Sequence, residues 1–185
     1  MWCMSHRGRL LIATPVIGDA NFDRTVVLLL EHTDDGALGL VLNRPTDVAV
    51  VDPLPEWNGL AAQPSVVFVG GPVEQNAAIG LGRAGLHPPG DGWSPVLDRI
   101  GTLDLSRDPA DLGLDIEQVR VFAGYAGWGP GQLEGELTVD AWIACDAESG
   151  DVLGDEPDTL WSRVLRRQGG DLALLSYCPP DPSSN

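Results

Sequence analysis

Thr25-Val26-Val27-Leu28-Leu29-Leu30, followed by Asp34-Asp35-Gly36 and Ala37-Leu38-Gly39-Leu40-Val41-Leu42-Asn43, decides the fold. A continuously apolar run that begins with β-branched residues reads as a strand covered on both faces. Asp-Asp-Gly is a turn signal and Ala37 to Asn43 is the returning strand, so residues 25–43 form a hairpin.

Outward from this hairpin the chain keeps to short strands. Arg9 to Val16 is apolar and extended, and Asp19-Ala20-Asn21 turns it back. Residues 47–63 carry Pro53, Pro55 and Trp57 and read as an irregular or short helical crossover. Ser65 to Val69 is a strand ending at Gly70-Gly71-Pro72, and Gly80 to Gly85 lies on an edge strand. Residues 85–98, rich in Gly and Pro, read as a mobile loop. Arg99 to Leu105 is a strand, and Asp108-Pro109 starts a short helix with Asp108 as N-cap. Val119 to Gly124 and Trp142 to Cys145 are strands around a short helix at Pro130 to Thr138. The clearest helix spans Asp158 to Gln168: Leu160, Trp161, Val164 and Leu165 make one apolar stripe, Arg163, Arg166 and Arg167 point away, and Gly169-Gly170 stops it. Leu172 to Ser176 closes the fold as a strand, and the Pro-rich tail from Cys178 frays. Many strands, few short helices and no regular βαβ alternation define an α+β class.

At 185 residues the chain has the length of one domain, whose core spans about residues 8–178. A net charge of −16 comes from 27 acidic residues against 11 basic ones, all of them arginine. Without lysine there is no Schiff base, no Walker A motif and no Ser-Lys dyad. The acidity repels polyanions, which argues against direct nucleic-acid binding. No apolar run approaches the roughly 20 residues that span a bilayer, and no apolar signal segment precedes the first strand. The expectation is a cytoplasmic protein with no membrane partner.

Catalytic and metal constellations fail in turn. G-x-S-x-G, H-E-x-x-H and EF-hand spacings are absent, and Gly80-Leu81-Gly82-Arg83-Ala84-Gly85 does not open a helix. Cys3, Cys145 and Cys178 are scattered, with Cys145 and Cys178 reading as buried thiols. His6 lies in a flexible start and His87 in the loop. His32 and Glu31, adjacent on a strand, point to opposite faces and do not cooperate. The acidic run Asp146 to Asp158 reads as a solvated loop. Neither catalytic residues, metal ligands nor a cofactor follow from these patterns.

What remains is a set of glycine-rich polar corners at strand ends. The candidate ligand-binding residues are Asp19, Arg24, Asn43, Arg44, Gly70, Gly71, Pro72, Gly124, Gly127, Trp128, Gln132 and Glu134. Glycine permits close backbone approach, and a helix start behind a glycine loop at Pro130 exposes free N–H groups to an anion. The competing reading is that the glycines only turn a tightly curled sheet, while Arg24 and Arg44 bond carbonyls or carboxylates.

The same stretches carry a resemblance. Gly8 to Pro15, Phe22 to Val26, Glu31-His32, Gly36 to Pro45, Gly70 to Val73 and Gly124 to Glu134 follow the order and spacing of the YqgE/AlgH family of bacterial proteins. The resemblance implies a bifurcated, mainly antiparallel sheet curled into a pseudo-barrel with flanking short helices. It brings no enzyme activity and no cofactor; the AlgH name records a supposed regulatory role in alginate synthesis. Trp128, flanked by glycines, is expected to plug that pseudo-barrel rather than line a pocket. The functional expectation is a non-enzymatic regulatory or binding protein acting through a protein partner or a small anionic ligand. The alternative is an enzyme of unrecognised type that takes an anionic small molecule at Arg24, Asn43, Arg44 and the 124–134 surface. A third reading, a DNA-contacting regulator, is disfavoured by the charge.

Overall fold

A computed structural model describes residues 4–87, 90–112 and 115–179. Its strands are β1 (Arg9–Ala13), β2 (Val26–Thr33), β3 (Gly36–Val41), β4 (Pro45–Ala49), β5 (Val66–Val69), β6 (Val73–Ala84), β7 (Trp93–Leu97), β8 (Ile100–Leu103), β9 (Ile116–Trp128) and β10 (Trp142–Asp146). The helices are α1 (Gln132–Thr138), α2 (Ser149–Leu153), α3 (Leu160–Gln168) and α4 (Gly170–Leu175), with 3-10 turns at Pro15–Ile17, Pro55–Leu60 and Pro157–Thr159.

The hairpin β2–β3 forms as its sequence demands, with a bulge between Leu29 and Glu31. Alternation on β2 sends Val26, Leu28 and Leu30 into a core with Phe68, Phe122 and the stripe of α3, and Val27 and Leu29 into a second core with Trp128, Leu133 and Trp142. A strand between two cores must be apolar on both faces, which is why the run is unbroken. A third core gathers Trp57, Val119 and Val121 under the 55–60 crossover.

The sheet runs β10-β1-β2-β3-β9-β6-β8-β7, antiparallel throughout that path. It forks at β9. Ala126, Gly127 and Trp128 pair with β3, whereas Phe122 and Ala123 pair in parallel with β5, which leads to β4. Gly124 sits between the two branches at φ +74°, where a Cβ would lie 2.6 Å from the Gly71 carbonyl oxygen. The end strands β10 and β7 do not pair, so the barrel stays open. The curl nevertheless brings β7 back to the chain entering β1: Arg7 donates from Nη2 to the Pro95 carbonyl at 2.7 Å and from Nε to the Leu30 carbonyl at 3.0 Å. The α+β class and the bifurcated, mainly antiparallel sheet are therefore as expected.

Several local expectations are corrected. Gly80 to Ala84 belongs to β6, an interior strand between β9 and β8. The loop at 85–98 contains β7, and residues 45–49 of the crossover flank form β4; Pro88 and Pro89 fall outside the described residues. Asp108 caps only a turn, its Oδ1 accepting from the Ala110 N–H at 2.8 Å, and no helix follows through Leu112. Gly124 to Trp128 is strand rather than loop. The segment expected as a closing strand is α4, because Leu172 and Leu175, three apart, both pack on the first core. The acidic run is not a solvated loop: it holds α2, whose Asp151 and Glu148 form a capping box, and Asp151 is buried. Arg167 turns back from the exposed face of α3 to meet that Asp151, Nη2 to Oδ2 at 2.8 Å. Cys145 is buried as expected, whereas Cys178 is exposed; beyond Pro179 the tail lies outside the described residues.

Candidate functional site

Past β1 the chain makes a tight excursion before entering β2. Thr14 caps the 3-10 turn, its Oγ1 accepting from the Val16 N–H at 3.2 Å and donating to the Asp140 carbonyl at 2.6 Å. Gly18 ends the turn in the left-handed region at φ +62°. Asp19 Oδ1 then accepts from the Asn21 N–H at 2.9 Å, a side-chain turn that reverses the chain. Between this excursion, the indole of Trp161 and the main chain at Cys178-Pro179 lies a cleft of about 290 Å³. Pro15, Ile17 and Ala20 give it apolar wall; Asp19, Asp23 and Arg24 give it charge.

Arg24 adopts φ +54°, a left-handed conformation that costs a non-glycine residue about 1–2 kcal/mol. Two neighbouring side chains hold it there. Asn43 donates from Nδ2 to the Arg24 carbonyl at 2.9 Å while its Oδ1 accepts from the Val26 N–H at 3.0 Å. Arg44 donates from Nη2 to the Asp23 carbonyl at 2.5 Å. So held, the Arg24 guanidinium lies 4.9 Å from the Trp161 ring centroid and donates from Nη2 to the Cys178 carbonyl. Trp161 is itself fixed by its Nε1–H, which donates to the Ala13 carbonyl at 2.8 Å. Among the described residues Arg24, Asp19 and Asp23 make no ion pair.

The twelve sequence candidates therefore separate. Asp19 and Arg24 line the cleft, and Asn43 and Arg44 position Arg24 from behind. Gly70, Gly71 and Gly124 serve the strand fork: a Cβ on Gly70 or Gly71 would meet backbone of Gly124 or Tyr125 at 2.1–2.3 Å. Pro72 follows on the surface, and Gly127 faces outward opposite Leu38. Trp128 is core, 5.9 Å from Trp142 in an edge-to-face contact, and its Nε1–H donates to Glu136 at 2.9 Å. Gln132 spends its carbonyl on the Gly129 N–H, and Glu134 meets His32. The α1 start thus stands apart from the cleft's lining. Asp23 and Trp161 line the cleft without having been singled out. A tryptophan within an apolar helical stripe reads as core, and no sequence signal shows that its far edge floors a cleft.

The histidines pair in an unexpected way. His32 is buried, and its Nδ1 accepts from the His6 backbone N–H at 3.0 Å. Its proton is therefore on Nε2, which donates to Glu134 Oε1 at 2.8 Å. Both ring nitrogens are engaged, which leaves none for general-base work, and Glu31 is exposed on the opposite face. His6, far from being loose, stacks on His32 at 5.5 Å and accepts at Nδ1 from Arg9. Burial first, then the Arg9 charge, holds its pKa below the ordinary histidine value. Burial likewise pushes the Cys145 thiol up to about 11, the mark of an inert core cysteine.

No helix among the described residues is long and apolar enough to cross a membrane. A family model described as AlgH-like matches residues 10–173, a span that contains the cleft residues Asp19, Asp23, Arg24 and Trp161 and the whole strand fork. A UPF0301 protein of Streptomyces coelicolor is 52% identical over 98% of this chain and 96% of its own length, and one of Streptomyces avermitilis is 50% identical over the same shares. The crystal structure of protein DIP2367 from Corynebacterium diphtheriae superposes with a TM-score of 0.87 at 31% identity, covering 93% of this chain and 92% of that one. The solution structure of the AlgH protein from Pseudomonas aeruginosa gives 0.71 at 30% identity over 98% of each chain. With likeness of sequence and of fold running end to end, the chain belongs to the AlgH-like family.

Proposed function

We propose that this AlgH-like protein is a non-enzymatic cytoplasmic binding protein that takes a small ligand with an anionic group into the cleft at Arg24. One observation carries the reading. Arg24 is kept in a costly left-handed conformation by Asn43 and Arg44, and its guanidinium is thereby stacked in the cleft with no carboxylate partner among the described residues. Strained non-glycine residues persist where neighbouring structure over-determines them, and they concentrate at ligand clamps. A guanidinium fork is suited to carboxylate or phosphate oxygens. The net charge of −16 suits a small ligand that enters a local positive site better than a polyanion that must lie along the surface.

A thermal-shift and ¹⁵N-HSQC screen with small carboxylates and phosphate esters tests the reading. A ligand at about 100 times its Kd adds about 2.7 kcal/mol to stability, and its resonance changes should centre on Asp19, Asp23, Arg24 and the Trp161 indole. Arg24→Gln should abolish the response. A screen in which no compound moves these resonances would refute the proposal.

A further inference from the structure

We infer that the ligand is a zwitterion of amino-acid size, with its carboxylate on Arg24 and its ammonium between Asp19 and Asp23; this rests on the reading of the cleft as a binding site. The cleft holds both signs of charge with no direct ion pair between them among the described residues. Arg24 faces it from one side, Asp19 and Asp23 also line it, and no ion pair joins them. A simple anion entering this space meets Arg24 but also two carboxylates, and a simple cation meets the reverse. A molecule bearing both charges satisfies all three side chains at once.

The remaining bonding capacity of each group agrees. A guanidinium has five N–H donors, and the Cys178 carbonyl accepts only from Nη2. Asp23 is held through its backbone carbonyl by Arg44, and its carboxylate makes no hydrogen bond among the described residues. Asp19 uses Oδ1 on the Asn21 N–H, which orients the group and leaves Oδ2 for a ligand. The apolar wall of Pro15, Ile17 and Ala20 offers a place for a hydrocarbon side chain. At about 290 Å³ the space stands just below the roughly 300–1,000 Å³ typical of drug-sized ligands, and it has room for one amino acid.

The test titrates the full-length protein with the twenty protein amino acids, following ¹⁵N-HSQC shifts, and then with the deamino and decarboxy analogues of the tightest binder. The inference expects an amino acid to bind at least about tenfold more tightly than either analogue, a difference of about 1.4 kcal/mol. Asp23→Asn should reduce the amino acid to the affinity of its deamino analogue, while Arg24→Gln should reduce it to that of the decarboxy analogue. Urea melts of both variants check that each remains folded. A deamino analogue that binds as well as its amino acid would overturn the zwitterion and leave an anion-binding cleft standing. If no amino acid binds while a carboxylate or phosphate ester does, the inference falls and the proposed function survives. Silence from every compound overturns both.

Discussion

Arg24 is one of four non-glycine residues at positive φ among the described residues, with Glu74, Asp98 and Asp140, and of these it lines the cleft. Its φ of +54° suits glycine better than arginine, and its carbonyl is bound by Asn43. Glycine at this position relieves the left-handed cost of about 1–2 kcal/mol but adds unfolded-state freedom of about 0.5–1 kcal/mol. Arg24→Gly is therefore expected to leave stability within about 1 kcal/mol of wild type, by urea unfolding, while removing the ligand response in the HSQC screen. A loss well beyond that range would mean that the stack on Trp161 serves the fold. Asn43 and Arg44 were legible as candidates because Asn-Arg-Pro breaks the apolar pattern of β3. That Arg44 bonds a carbonyl was one of the two readings of the sequence; which carbonyl it takes, and the hold of Asn43 on Arg24, were not legible, because a side chain bonded to a carbonyl about twenty residues earlier leaves no periodicity to read.

Among the elements, β9 with α1 and α2 with α3 show how tertiary contacts redefine local patterns. Trp128 ends β9 and fills the second core with Trp142, both indole N–H groups donating to Glu136 Oε2 at 2.9 and 2.7 Å. Trp128→Ala should cost about 3–5 kcal/mol, as for other buried aromatic truncations; an unchanged urea midpoint would contradict its role as a plug. Arg167 shows the opposite lesson. From the sequence it points away from the apolar stripe of α3, yet it reaches Asp151, whose side chain is only 3% exposed. Hydrogen bonding to Asp151 raises the Arg167 pKa, in keeping with a guanidinium held charged by its partner. Arg167→Met should cost about 3–5 kcal/mol because it leaves a buried carboxylate unpaired. Adding Asp151→Asn should recover part of that loss in the same unfolding assay, whereas a purely additive double variant would argue against the coupling.

At the scale of the whole molecule, 27 acidic residues against 11 arginines set a self-repelling surface around an open, curled sheet. Arg7, bonded to Pro95 on the end strand β7 and to Leu30 on β2, is a side-chain clasp across the curl of that sheet. Net charge far from zero destabilises the compact state, and salt screens it. The melting temperature should therefore rise as sodium chloride increases from low to about physiological strength, where the Debye length is about 8 Å; a fall would show that local ion pairs outweigh the global repulsion. The sequence by itself determined the α+β class, the β2–β3 hairpin and the α3 stripe, because each is written in the spacing of neighbouring apolar residues. Only the tertiary structure decided that Leu172 and Leu175 belong to a helix, that β6 is interior, and that Gly124 divides the sheet. It alone brought Asp19, Asp23 and Arg24 to one cleft with Trp161. Those outcomes depend on contacts between segments up to 154 positions apart, as between Arg24 and Cys178, and such contacts are chosen by packing rather than by the pattern of either segment.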